Sequence, residues 1–225
     1  MVTGASSGIG AAIAARLLRE GWTVLGLSRS RPASPDPTFD DPGFTHCPAD
    51  LGDPASLAAA LAPLAPVDAL VHAAGVLRVG RLDEDTAADA RAMWRLHVEA
   101  AAELVRWAAP GLPEGGRVVL LGSRVASGAA GRGQYAASKA AVVGLARSWA
   151  AELAPRAITV NVVAPGATDT PMLRDPARSA SAPRLPPLGR FVRPDEVAGM
   201  VAFLLGPDGG STTGQQLVMC GGGSL

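Results

Sequence analysis

The chain has almost no lysine and almost no tyrosine: Lys139 is one of 20 basic residues, the rest being Arg, and Tyr135 stands alone. Cysteine is nearly as scarce. Cys47 and Cys220 are the only two, which gives no disulfide framework and makes a reduced, cytoplasmic setting the default. The histidines number three, none beside another ligand at zinc spacing, so no metal site is expected. An excess of charge of either sign is also missing. With 20 basic and 20 acidic residues the chain is formally neutral, which argues against a nucleic-acid partner. No apolar run reaches the roughly 18 residues of a membrane span. The N-terminus lacks the charged and apolar regions of a secretory leader. Apolar side chains are plentiful, at 48% of residues against 18% charged. That excludes disorder and suffices for the core of one domain over residues 1–225.

The scarcity is itself informative. An Arg- and Ala-rich bias replaces Lys and Tyr wherever either is optional, so the survivors mark positions where no substitute was acceptable. Lys139 follows Tyr135 by four residues, which puts both on one face of a helix.

Short β-branched runs alternate with Ala/Leu-rich stretches. Trp22–Ser28, Phe44–Cys47, Val67–His72, Arg117–Gly122, Ile158–Val163 and Gln215–Met219 read as strands. Their unbroken apolar character suits parallel strands covered on both faces. Helices are expected at Ile9–Glu20, Pro54–Leu61, Asp85–Ala108, Gln134–Leu153 and Pro194–Leu205. Only Met1 and Val2 precede the first glycine turn, so the first strand is unusually short. The alternation implies a doubly wound α/β sheet. Arg174–Arg193 is irregular and long for a plain connection, as lids and substrate loops are. Its Arg174, Arg178, Arg184, Arg190 and Arg193 suit either an anionic substrate, a carboxylate or a phosphopantetheine-linked acyl chain, or plain solvation. Ala137, Ala141 and Gly144, off the Tyr135–Lys139 face, suit close helix packing between subunits of a homodimer or homotetramer.

The turn Gly4-Ala5-Ser6-Ser7-Gly8-Ile9-Gly10 leads into the first helix. Such glycines allow a tight turn and close approach to a pyrophosphate, which the helix N-terminus would hold. The spacing is wider than G-x-G-x-x-G, and an ordinary loop could share it.

Taken in order, T-G-A-S-S-G-I-G, a Ser, Tyr-x-x-x-Lys and Pro-Gly resemble the short-chain dehydrogenase/reductase family, in its compact, 3-oxoacyl-carrier-protein-reductase-like branch. The resemblance covers essentially the whole chain. It implies a Rossmann-type fold with seven parallel strands, a nicotinamide cofactor, and a small carbonyl or alcohol substrate. It further implies that Gly4, Ser6, Ser7, Gly8, Ile9 and Gly10 form the cofactor turn. Asp50 and Leu51 would hold the adenine, Ala74 and Gly75 would line the cofactor, and Pro165, Gly166, Thr168 and Thr170 would lie beside the nicotinamide carboxamide. His72-Ala73-Ala74-Gly75 stands where Asn-Asn-Ala-Gly is common.

The end of the second strand bears on cofactor choice. A carboxylate there would select NAD; Ser28 and Arg29 can hold a 2′-phosphate instead, which favours NADP(H) over NAD(H). Two solvated arginines, Arg29 and Arg31, would look the same. Tyrosine is a poor base at its ordinary pKa of about 10. A nearby ammonium lowers that value, and Lys139 is placed to do so. By the resemblance, Tyr135 exchanges the proton with the substrate oxygen and Ser123 hydrogen-bonds it, while Lys139 also grips the nicotinamide ribose.

Two departures stand out. The stretch from Ser123 to Tyr135 is one residue shorter than usual; Ser127 is too close to replace Ser123. His97 stands where the family has an Asn that helps hold a water near the lysine, and fits either a structural or a working histidine. The expected activity is NADP(H)-dependent ketone–alcohol interconversion. The alternative is a weakly active or inactive NADP(H)-binding sensor of the same fold.

Overall fold

Side chains along a strand point alternately to opposite faces, so a strand covered on both faces needs apolar residues at both parities. Arg117–Leu121 shows the consequence. Val118 and Leu120 enter one buried cluster and Val119 and Leu121 the other. The computed structural model describes residues 1–32, 36–174 and 184–225, so residues 175–183 of the expected lid, Arg178 among them, lie outside the described residues. Seven parallel strands form one sheet: β1 (Val2–Thr3), β2 (Val24–Ser28), β3 (Phe44–Pro48), β4 (Ala69–His72), β5 (Arg117–Leu121), β6 (Thr159–Pro165) and β7 (Gln216–Met219). Their order is β3-β2-β1-β4-β5-β6-β7, the doubly wound arrangement expected.

Helices α1 (Gly8–Arg19) and α6 (Pro194–Leu205) cover one face, with Ile13, Leu17, Val197 and Val201 inward. Helices α2 (Pro54–Leu61), α4 (Ala100–Ala108) and α5 (Gly133–Leu153) cover the other through Leu57, Leu104, Val142 and Ala146. Asp53 caps α2 by accepting the Ala55 N–H at 3.0 Å, with Pro54 first in the helix, as the Asp-Pro pair implies. The sheet order reverses direction beside β1. Ligands in such folds bind in the crevice at the carboxyl ends of the strands there.

Most element boundaries differ from the sequence reading by one or two residues, and two differences have a visible cause. Strand β2 starts at Val24, because the Trp22 N–H is taken by the Leu17 carbonyl at 3.0 Å to close α1. The stretch Asp85–Ala108 is not one helix. It begins as α3 (Ala87–Trp94), with Thr86 accepting the Asp89 N–H at 3.1 Å, then passes through a π-turn at Arg95–Glu99 into α4.

Candidate active site

The crevice is built on a buried threonine. Thr3 Oγ1 accepts the N–H groups of Ala73 and Ala74, both at 3.2 Å, tying the end of β1 to the end of β4. Only glycine fits the next close approaches. Gly4 has φ +68° and a Cβ there would lie 2.8 Å from the Ala74 backbone; one on Gly10 would lie 2.2 Å from the Gly4 carbonyl oxygen. The turn therefore brings the start of α1 against the sheet edge. Ser7 makes no side-chain cap and the first turn of α1 holds no acidic residue. Its backbone N–H groups and positive dipole end are left for an anion. This cradle, too close for any Cβ and with N–H donors at its floor, fits a dinucleotide pyrophosphate.

Gly4, Ser6, Ser7, Gly8, Ile9, Gly10, Ser28, Arg29, Asp50, Leu51, Ala74, Gly75 and Thr170 line one cavity of about 450 Å³. Ser123, Tyr135, Lys139, His97, Pro165, Gly166 and Thr168 line a second, of about 510 Å³. Ile9, Gly75 and Thr170 wall both, so every expected site residue lies along one crevice. At the end of the crevice beside β2, Arg29 is exposed, while buried Ser28 donates to the Ser30 carbonyl at 2.9 Å.

Ser123 follows β5 and caps a 3₁₀ turn, Arg124–Ser127; its Oγ accepts the Val125 N–H at 3.1 Å. That leaves its O–H to donate into the cavity. Ser127 is exposed, lies outside the cavity lining, and donates to the Arg124 carbonyl at 3.2 Å. Tyr135 and Lys139 sit one turn apart on α5. The Lys139 ammonium is buried, donates to the Leu121 carbonyl at 2.7 Å and lies 5.9 Å from the Tyr135 ring centroid. Burial pushes its pKa down to about 7.

Two buried histidines flank this pair. The Val76 N–H donates to His97 Nε2 at 3.1 Å. That nitrogen is thus the bare one, and Nδ1–H donates to Ser138 Oγ at 2.9 Å. Ser138 in turn donates to the Tyr135 carbonyl at 2.8 Å. The His97 and Tyr135 rings meet edge to face at 5.6 Å. His72 is the opposite tautomer. The Leu96 carbonyl, 3.0 Å from Nε2, can only accept, so Nδ1 accepts from Thr3 Oγ1 at 2.9 Å. The Leu96 carbonyl belongs to the π-turn, where the ordinary helical partner is displaced. His72 therefore anchors the turn that presents His97. Burial, aided by the Lys139 charge, pushes His72 down to about 4 and His97 far below the usual imidazole range.

Both histidines are thus neutral when folded and bind protons more readily when unfolded. The unfolded chain holds more protons between about pH 4 and 6.5, so stability rises with pH across that window and is lost on acidification. His72 alone, shifted from 6.5 to about 4, is expected to account for about 3 kcal/mol. Urea unfolding at pH 4.5 and 7 checks this: His72→Asn should flatten the dependence, and an unchanged slope would contradict it.

Sequence reasoning missed Thr3 and Ser138, although Thr3 opens the glycine motif and Ser138 precedes the only lysine. It also passed over Arg124, which lines the second cavity and which no pattern distinguishes from the other arginines.

Comparison with known proteins decides the family. A family model described as enoyl-(acyl carrier protein) reductase matches residues 4–224. The chain is 35% identical to the 3-oxoacyl-[acyl-carrier-protein] reductase FabG of Vibrio cholerae, over 99% of this chain and 95% of that one. It belongs to the short-chain dehydrogenase/reductase family. As a member it is an NAD(P)-dependent oxidoreductase of CH–OH and C=O groups. A short-chain dehydrogenase of Burkholderia cenocepacia, solved in complex with NADP, is similar at 37% identity, with a TM-score of 0.88 over 100% of this chain and 96% of that one. A further relative, 34% identical over 95% of this chain and 92% of its own length, is the cyclic-di-GMP-binding biofilm dispersal mediator protein of Escherichia coli.

Proposed function

We propose that this short-chain dehydrogenase/reductase interconverts a ketone and a secondary alcohol with NADP(H). The observation that carries this is the convergence of Ser123, Tyr135 and Lys139 on one cavity that continues into the glycine cradle. A bound NADPH would supply the hydride. Gly4 to Gly10 would hold its pyrophosphate, Asp50 and Leu51 its adenine, Ala74 and Gly75 its flank, and Pro165, Gly166, Thr168 and Thr170 its carboxamide. Ser123 donates to the substrate oxygen, and Tyr135 transfers the proton to it. Lys139 stabilises the phenolate left behind. His97, with both nitrogens bonded, holds Val76 and the first turn of α5 in place; carrying a proton would cost it one of those bonds. A panel of ketones with NADPH, followed by cofactor oxidation, tests the proposal. Turnover of at least one ketone is expected, and none at all would overturn it.

Arg29 supports NADP(H) over NAD(H), since it stands at the cavity rim where a 2′-phosphate would lie and no carboxylate stands at the end of β2. Arg29→Asp is expected to erase or reverse the preference in fluorescence titrations of NADPH and NADH. Tighter NADH binding by the parent protein would contradict the assignment.

The similarity to a cyclic-di-GMP-binding mediator favours one second reading, a sensor that keeps the fold without turnover. An intact Ser123–Tyr135–Lys139 set speaks against it, because a sensor has no use for the phenol; binding of cyclic-di-GMP without ketone turnover would support it. Exposed Ala137 and Gly144 on α5 support a homodimer or homotetramer packed through that helix. Among the described residues, no helix is long and apolar enough to cross a membrane.

A further inference from the structure

The arginines expected to meet an anionic substrate do not act alike. Arg174 pairs with Asp169 at 2.6 Å, Arg190 with Glu196 at 2.7 Å, and Arg193 with Glu196 at 3.6 Å. These three lie at the surface and share two carboxylates, Asp169 and Glu196, and none lines the catalytic cavity. The cavity takes its positive charge from elsewhere. Arg124 and Arg132 come from the segment between β5 and α5, and Arg184 from the far side; no Asp or Glu side chain lines it among the described residues. Arg124 and Arg184 make no ion pair among those residues.

Arg124 is the best placed. It follows Ser123 directly and starts the turn that Ser123 caps, so its reach is set relative to the serine hydroxyl. Its stem is confined between two backbone segments. A Cβ on Gly166 would lie 3.6 Å from Arg124 Cδ, and one on Gly223 3.6 Å from Nε. It is half-buried, which strengthens its field relative to a solvated charge. A guanidinium fork of this kind matches a carboxylate in two parallel hydrogen bonds. This cation is separate from Arg29, which lies in the other cavity.

Resting on the ketone-reductase reading above, we propose that the substrate is a small oxo acid whose carboxylate is held by Arg124, with Arg184 adding to the field at the mouth. The ketone then lies at Ser123 and Tyr135, and the acid end points away from the glycine cradle. The cavity, about 510 Å³ in all, would take the nicotinamide end of the cofactor together with a small acid.

The test compares acetoacetate with methyl acetoacetate and levulinate with methyl levulinate, measuring kcat/KM with NADPH. The parent protein is expected to favour each acid over its ester by about tenfold or more, the scale of a charge-assisted pair. Arg124→Gln should bring that ratio to about one or below, and Arg124→Lys should retain part of it. NADPH titration verifies that the variants are folded, and the Lys variant replaces the Gln variant if the latter binds no cofactor. A parent preference for esters, or for neutral 3-oxoacyl thioesters, overturns the proposal. So does an equal loss on acid and ester in Arg124→Gln. If the parent reduces neither acid nor ester, the reductase reading fails for these compounds and calorimetric titration of acetoacetate into the NADPH complex decides the anion site. Binding lost in Arg124→Gln upholds it, and no binding overturns it.

Discussion

Tyr135→Phe is expected to lower ketone reduction by a factor of about a hundred or more while leaving the fold and NADPH binding intact. The substitution removes one oxygen, the proton donor, and general acid–base groups contribute at least that much. The ring stays, with its edge-to-face contact to His97 at 5.6 Å, so a collapse of the site would not explain the loss. Lys139→Arg should fail differently. The buried ammonium reaches the Leu121 carbonyl at 2.7 Å, a point contact in a space that a planar guanidinium does not match. Turnover and cofactor affinity should therefore fall together. Because phenol and ammonium act as a unit, the double variant should be little worse than Tyr135→Phe alone. Lys139 titrates near 7 because of its burial, so the reduction rate should decline as pH rises past that point and the charge is lost. Steady-state kinetics with separate cofactor titrations reads all of this. More than about a tenth of the parent rate in Tyr135→Phe would remove the tyrosine from its role.

Ser123→Ala should cost a factor on the order of a hundred to a thousand in kcat, the measured scale for losing one donor to a developing oxyanion. Ser127→Ala should keep most activity. The contrast is sharp because the two hydroxyls share one short turn. Ser123 is buried at its start and faces the cavity, whereas Ser127 is exposed at its end and faces its own backbone. Ser123 also caps that turn through the Val125 N–H, so some loss of thermal stability accompanies the change. Ser123→Thr keeps the hydroxyl and the cap and should recover part of the rate. Full activity in Ser123→Ala with loss in Ser127→Ala would mean that the shortened loop places the other serine at the substrate.

Much of this architecture was legible in the residues, for physical reasons. Parallel strands need apolar side chains on both faces, and Val118 to Leu121 show that as an unbroken run. The glycine turn announced itself because Gly4 and Gly10 sit where no Cβ fits. Tyr135 and Lys139 stood out because the composition had removed every other residue of their kinds. The π-turn at Arg95–Glu99 was not legible. It depends on His72, distant in sequence, reaching the Leu96 carbonyl, and the helical period of Asp85–Ala108 carries no trace of that bond. Nor could the arginines be sorted by sequence. Arg190 and Arg193 look as available as Arg124 until Glu196 is seen between them. The short first strand works because Thr3 supplies through its side chain the links to Ala73 and Ala74 that hold β1 against β4 at the crevice.

The central claim is that a ketone is reduced at Ser123, Tyr135 and Lys139 with NADPH as the source of hydride. Its most direct test is a single-turnover reaction with NADPH deuterated at the transferable position, a ketone or oxo acid that the parent protein consumes, and mass spectrometry of the product. The account predicts an alcohol carrying one deuterium on the former carbonyl carbon, formed by the parent protein and all but absent with Tyr135→Phe. Label-free alcohol, or the same yield from Tyr135→Phe as from the parent, would contradict it.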